Sequence, residues 1–389
     1  MASKHDVIVY GATGFTGGLV AQYLSTERRL APERWALAGR DIAKLEAVRE
    51  RLAARDSRLA SLQLYQASSE NYESLADMAV RTRVVLTTVG PYEKYGRPLV
   101  RACVQTGTDY VDLTGEPGFW QEMVDQHHVD AENNGAMIVS CCGFDSIPQD
   151  IGAWLVVHAL HETAERTGKA IEVDGYIAAK GLPSGGTWQS AIDILADIDI
   201  SALDVRFSDD VARWVLRMPS VDPMVVARSG ELGQYGAGFR YTAWIEAKSR
   251  VQMGAMRAGI RAAKAAAKVG PLRKLMASLR PSGAGPSENQ RAASWFRVKT
   301  VGRCGDAEAT AVISGGDPGY DETAKMISES ALCLATERDA LPLSGGVVTP
   351  ASAMGEALVG RLRDAGLKIT VRGPDAEAKA DADARPDAR

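Results

Sequence analysis

The segment Val7–Gly18, VIVYGATGFTGG, constrains the fold of this chain more than any other stretch. A β-branched and aromatic run, Val7-Ile8-Val9-Tyr10, stops at Gly11 and gives way to Ala12-Thr13-Gly14-Phe15-Thr16-Gly17-Gly18. An apolar segment, Leu19 to Leu24, follows with helical spacing. A buried strand, a glycine turn and a helix in this order make a cradle for the pyrophosphate of a dinucleotide. Gly11 permits the tight turn, Gly14 lets the backbone approach the phosphates, and Gly17 lets helix and strand pack closely. The amides at the helix start, with the positive end of its dipole, attract the anion. The spacing is G-x-x-G-x-x-G rather than G-x-G-x-x-G. Plain strand-to-helix connections also use such turns, so this one gains its weight from the units that follow.

Strand and helix patterns alternate up to about residue 150. Trp35-Ala36-Leu37-Ala38 reads as a second strand, and Asp41 is placed to cap a helix over residues 42–54. Further strands are expected at Leu62–Tyr65, Val84–Val89, Tyr110–Leu113 and Met137–Cys142, with helices near 72–80, 98–105 and 119–133. This pattern predicts an α/β, doubly wound (Rossmann) parallel sheet covered on both faces. After residue 150 the texture changes. Strands are expected at 172–179, 295–300 and 309–313, and helices at 187–196, 321–336 and 351–362, giving a second α/β domain with an open, mixed sheet. The expected division is 1–150 for the dinucleotide domain and 151–349 for a substrate and dimerisation domain. Residues 350–372 are expected to form a helix and strand packing back on the body. Residues 373–389 contain no aromatic and nothing apolar larger than alanine, and are expected to be a disordered tail.

A net charge of −4 gives no general electrostatic case for nucleic acid. Cys103, Cys141, Cys142, Cys304 and Cys333 are odd in number and form no C-x-x-C pair, which favours free thiols in a reducing cytoplasm over disulfides or zinc. The five histidines also lack metal spacing, so no metal is expected. No apolar run is long enough to cross a bilayer, and the chain enters a strand too soon for a signal peptide.

The second strand decides the cofactor. NAD binding uses an Asp or Glu there for the ribose hydroxyls, whereas NADP needs a cation for its 2′-phosphate. Here the strand ends in Ala38-Gly39-Arg40, and a guanidinium grips phosphate through two bonds. Arg40 therefore favours NADPH over NADH, with Asp41 as the competing feature. Thr88-Val89-Gly90-Pro91-Tyr92 should reach the nicotinamide ribose. Gly115-Glu116-Pro117 and Gly143-Phe144-Asp145 should leave the same sheet edge and complete a pocket.

Two other features need weighing. Tyr176-Ile177-Ala178-Ala179-Lys180 matches Y-x-x-x-K, whose chemistry needs a helix, but the alternation here is that of a strand, so the match is read as chance. Residues 248–280 hold nine Lys or Arg and no Asp or Glu, with Met256, Ile260, Ala263 and Ala267 as a helical apolar stripe. A solvated helix, a dock for an acidic carrier protein and a peripheral membrane contact all remain open for it. The stretch Pro281–Pro286 then reads as a loose linker.

Together these residues resemble the saccharopine dehydrogenase-like oxidoreductases. The resemblance rests on Gly11–Gly17, Ala38-Gly39-Arg40, Val89-Gly90-Pro91-Tyr92, Tyr110–Glu116 and Gly143-Phe144-Asp145-Ser146-Ile147-Pro148. The C-terminal half is similar to the trans-acting enoyl reductases of mycobacterial-type lipid synthesis, through Tyr235-Gly236, Phe239-Arg240-Tyr241, Gly285–Glu288, Ser314–Tyr320 and Thr349–Gly355. The resemblance implies NADPH-dependent reduction of an enoyl thioester held on a polyketide synthase or its carrier protein. It also leaves an imine-reducing amino-acid oxidoreductase and a lipid-associated module without turnover as alternatives. Hydride addition leaves negative charge on the thioester, so a proton donor is required. Tyr92 is the first candidate; Asp145 and Glu116 would need raised pKa values to serve.

Overall fold

The computed structural model describes residues 4–27, 30–163, 169–181, 192, 203–218, 220–278 and 285–374. The expected helix at 187–196 lies outside these residues apart from position 192, as do most of the 281–286 linker and of the tail.

Two seven-stranded sheets organise the chain. The first contains β1 (His5–Tyr10), β2 (Trp35–Gly39), β3 (Gln63–Gln66), β4 (Thr82–Thr87), β5 (Asp109–Val111), β6 (Met137–Val139) and β13 (Gly346–Val348). Their order is β13-β6-β5-β4-β1-β2-β3, with every pairing parallel. β1 and β2 bury every residue, as near-continuous apolar runs do in a sheet covered on both faces. Helices Tyr72–Ala79, Arg97–Thr106 and Pro117–Asn133 cover one face and Phe15–Thr26 the other.

The second sheet contains β7 (Glu172–Lys180), β8 (Val205–Ser208), β9 (Arg213–Arg217), β10 (Arg240–Ala247), β11 (Trp295–Cys304), β12 (Ala307–Gly315) and β14 (Lys368–Arg372). Its order is β14-β12-β11-β7-β10-β9-β8, and only β7 and β10 pair in parallel, so the sheet is mixed. Tyr176 and Lys180 both lie on β7, where the Tyr176 hydroxyl donates to Asp210 at 2.6 Å. The Y-x-x-x-K pair therefore has strand geometry.

The expected boundaries need correcting at two places. β13 falls inside the stretch assigned to the second domain, yet it pairs with β6 and completes the first sheet. Helix Asp321–Glu337 likewise packs on helix Phe15–Thr26 and on β1, β4 and β5. Its burial explains this: thirteen of its residues, Glu322 to Ala335 apart from Lys325, are buried, so it is a core element between the units. One hydrophobic cluster runs from Val7 and Val9 through Ile151, Val156, Met326 and Ile327 to Val298 and Ile313. The two sheets thus share a core.

Candidate active site

At the end of β1 the three glycines do different work. Gly11 has φ +93°, and a Cβ there would lie 2.7 Å from Val89 Cγ2. A Cβ on Gly17 would sit 2.1 Å from the Gly11 carbonyl oxygen, so this glycine is demanded by helix-on-strand packing. Gly14 is the N-cap of the helix, with an ordinary φ of −76°, and a Cβ there would lie only 3.3 Å from the Gly11 carbonyl oxygen. Its φ does not demand glycine, but a Cβ would press on that oxygen. Thr13 and Gly14 form an exposed tip, Ala12 is buried, and no side chain caps the helix above Phe15, Thr16 and Gly17. A helix start left without a cap in a glycine turn suits an anion.

At the end of β2, Arg40 is exposed, and its carbonyl accepts a bond from the Gln66 amide at 3.0 Å. Asp41 is committed elsewhere. Its carboxylate caps helix Ile42–Ala53 by accepting the Lys44 N–H at 3.1 Å, and the Lys44 ammonium lies 3.6 Å away. Lys44, which the sequence alone did not single out, is thus a further cation paired with the residue after Arg40.

Loops after β4, β5 and β6 leave neighbouring strands on the same edge. The Thr88 hydroxyl donates to the Gly11 carbonyl at 3.4 Å, tying the β4 loop (Thr88, Val89, Gly90, Pro91) to the glycine turn. Asp112 holds the other two loops together. It is fully buried; one carboxylate oxygen accepts the N–H groups of Thr114 and Cys141 (3.0 and 2.9 Å), the other the hydroxyls of Tyr110 and Ser140 (2.9 and 3.2 Å). Burial pushes its carboxyl up to about 6, against these hydrogen bonds. Cys141 is held at a left-handed φ of 65° by this arrangement. All five cysteines are buried and none is in a disulfide.

The three candidate proton donors separate sharply. Tyr92 is buried; its hydroxyl donates to the Thr87 carbonyl at 3.3 Å and accepts the Leu113 N–H at 3.1 Å. Burial, then the nearby Asp112 charge, raises its pKa well above the usual phenol range. A hydroxyl so engaged beneath the sheet edge does not suit the donor role that the sequence assigned it first. Glu116 is also buried, and its two carboxylate oxygens accept the N–H groups of Tyr92 and Glu93 at 3.0 and 2.7 Å. An acid whose oxygens both accept is a cap for the turn Tyr92–Tyr95, not a proton source. Asp145 differs: the residue is exposed, and a carboxylate oxygen lies 3.6 Å from where a Cβ on Gly115 would be. The protein around it desolvates the carboxyl and raises its pKa.

Elements distant in sequence close over this edge. Tyr320 meets Phe15 edge-on with ring centroids 5.0 Å apart, and the Arg291 guanidinium lies 5.8 Å from the Phe15 ring. A Cβ on Gly285 would run into the Phe15 ring. The Phe144 N–H donates to the Thr323 hydroxyl at 3.1 Å, and the Phe144 ring meets Phe296 at 4.9 Å. Behind Asp145, the Ser146 and Ser220 hydroxyls donate to the buried Asp222 at 3.0 and 2.6 Å. Among the described residues, no three His, Cys, Asp or Glu side chains gather as metal ligands, and no helix is long and apolar enough to cross a membrane.

Residues 7–139 match the saccharopine dehydrogenase NADP binding domain. Trans-acting enoyl reductases of Mycobacterium ulcerans and Mycobacterium leprae are each 33% identical to this chain, over 94% of it and 97% of their own length. The chain belongs to the trans-acting enoyl reductase family. A Mycobacterium tuberculosis protein provisionally named for that activity is 34% identical over the same shares. Apo saccharopine dehydrogenase (L-Glu forming) from Saccharomyces cerevisiae has the same fold, with a TM-score of 0.55 and 13% identity, over 94% of this chain and 99% of that one. This family member is an NAD(P)-dependent oxidoreductase with an NADP(H)-type domain. The residues present fit that group: the uncapped helix start and the exposed tip at Thr13 and Gly14 suit the pyrophosphate, and the exposed Arg40 suits a 2′-phosphate.

Proposed function

We propose that this enzyme uses NADPH in preference to NADH to saturate an enoyl thioester delivered on a carrier protein or synthase. The observation that carries the substrate class is its likeness, across nearly the whole chain, to proteins named trans-acting enoyl reductase. The half-buried ring of Phe144, backed by the buried Phe296, is in keeping with it as an apolar surface for an acyl chain. When bound, the reduced nicotinamide supplies a hydride for the β-carbon. The protein's part is to hold the group through Gly11, Ala12, Thr13, Gly14, Phe15, Thr16 and Gly17. Arg40 meets the 2′-phosphate. Thr88, Val89, Gly90, Pro91, Gly143 and Phe144 border the nicotinamide end, with Tyr92 packed beneath it.

As the β-carbon gains its new C–H bond, the C=C electron pair moves toward the thioester oxygen. A proton then adds to the α-carbon and restores the thioester. Asp145 is the proton source in this reading, because it is the exposed one of the three while the Tyr92 hydroxyl and both Glu116 oxygens are engaged. Solvent then reprotonates it. The test is NADPH consumption with a crotonyl thioester against a mixture of lysine and a keto acid. Turnover of the thioester alone supports the proposal, and turnover of the imine mixture alone replaces it with a saccharopine dehydrogenase-type activity. No turnover with intact NADPH binding leaves a cofactor-bound module.

A further inference from the structure

The basic stretch forms two consecutive helices, Arg250–Ala267 and Gly270–Ser278. Met253 and Ala267 anchor the first helix, and Met256 and Ile260 pack partly buried against the cluster of Leu216 and Ala247. Lys248, Arg250, Arg261, Lys268, Arg273 and Lys274 are exposed, with Leu272 and Leu275 exposed beside the last two. The sequence from 248 to 280 holds nine Lys or Arg and no acid, and these six exposed cations stand on a chain whose net charge is −4.

Strand register fixes where that surface begins. Ile245, Ile177, Val298 and Ile313 form one row across β10, β7, β11 and β12. Two residues further on, the row contains Ala179, Phe296 and Gly315, and β10 ends at that level with Ala247. The insert thus leaves the second sheet two strands from Phe296, about 10 Å at ordinary strand spacing. Phe296 is the ring against Phe144, the neighbour of Asp145, and the chain is next described at Gly285, over Phe15. Both flanks of the insert therefore lie on the rim of the cleft.

We propose that residues 248–278 are the docking surface for the acidic face of an acyl-carrier protein, which presents its thioester to the cleft beside them. The inference rests on the enoyl-thioester reading and adds the place where the carrier sits. Charge complementarity and position select this occupant. A lipid surface fits less well, because interfacial helices anchor through Trp, Phe or many Leu, and residues 248–280 contain no aromatic side chain and are rich in alanine.

The test reverses three exposed charges in the full chain, Arg261→Glu, Lys268→Glu and Lys274→Glu. Steady-state kinetics compare the crotonyl thioester of an isolated acidic acyl-carrier protein with crotonyl-N-acetylcysteamine, which has no carrier. KM for the carrier-borne substrate should rise by about tenfold or more and respond to salt, with kinetics on the small thioester unchanged. Unchanged kinetics on both substrates, or equal losses on both, overturn the docking surface and leave the reductase reading intact. If neither thioester is reduced, the reductase reading fails, and titration of the labelled carrier still decides docking. Wild-type binding that the reversal abolishes sustains the surface; no wild-type binding overturns it. Charge-dependent binding to phosphatidylglycerol vesicles without carrier binding overturns it in favour of a membrane contact.

Discussion

Replacing Arg40 with alanine tests the proposed 2′-phosphate contact separately from every other part of the cofactor. The side chain is exposed at the end of β2, and the neighbouring Asp41 is occupied as a helix cap. A charge-assisted hydrogen bond contributes ~1.5–3 kcal/mol, and screening at an exposed site favours the lower half of that range. A loss of ~1.5–2 kcal/mol weakens NADPH roughly 10–30-fold at ~1.4 kcal/mol per decade. NADH lacks the phosphate, so its affinity should stay within about twofold. Titration of the nicotinamide fluorescence for both cofactors, in low and high salt, measures the two changes. Added salt should narrow the wild-type preference and leave the variant unaffected. Equal losses for NADPH and NADH, or unchanged NADPH affinity, would remove Arg40 from the 2′-phosphate site and move attention to Lys44.

The glycines of the turn should part company. Gly17→Ala forces a Cβ to 2.1 Å from a backbone oxygen and should lower stability by ~1–3 kcal/mol in denaturant unfolding. Gly14→Val, whose Cβ would meet the same oxygen at 3.3 Å, should stay folded with a smaller loss of stability than Gly17→Ala and should lose NADPH; retained affinity there would show that the turn does not hold the dinucleotide. Asp145→Asn should cut kcat by roughly 10²-fold with NADPH binding unchanged, while Tyr92→Phe leaves kcat nearly intact; the reverse result returns the donor role to Tyr92. Burial pushes the Asp222 carboxyl up to about 7, well above its unfolded value. As pH rises from about 4 to about 7 the unfolded chain has lost that proton while the folded one keeps it, so stability falls across this window by an upper bound of ~4 kcal/mol. Asp222→Asn should flatten the decline of Tm over that range, and an unchanged slope would count against the buried acid.

The first sheet was legible because its strands are buried on both faces and its turns carry their own chemistry. Trp35–Gly39, the cap at Asp41 and the segment Val7–Gly17 declare themselves through local sequence, which alone sets burial period, capping and φ. β8, β9 and β10 escaped notice, and so did helix Asp222–Leu232. Arg206, Arg213 and Arg240 break the apolar runs, and pairing with distant strands rather than local pattern supplies the order. Gly346–Val348 is too short to announce a sheet, and only its register with Met137–Val139 makes it the seventh strand. The same limit applies at the candidate site. Local sequence brought Tyr92, Glu116 and Asp145 to one edge of the sheet. Which of them keeps a carboxyl or hydroxyl open to the cleft was decided by Thr87, Leu113 and the amides of Tyr92 and Glu93. Hydrogen-bond satisfaction is a property of groups brought together in space, so the three candidates could be told apart only in the folded chain.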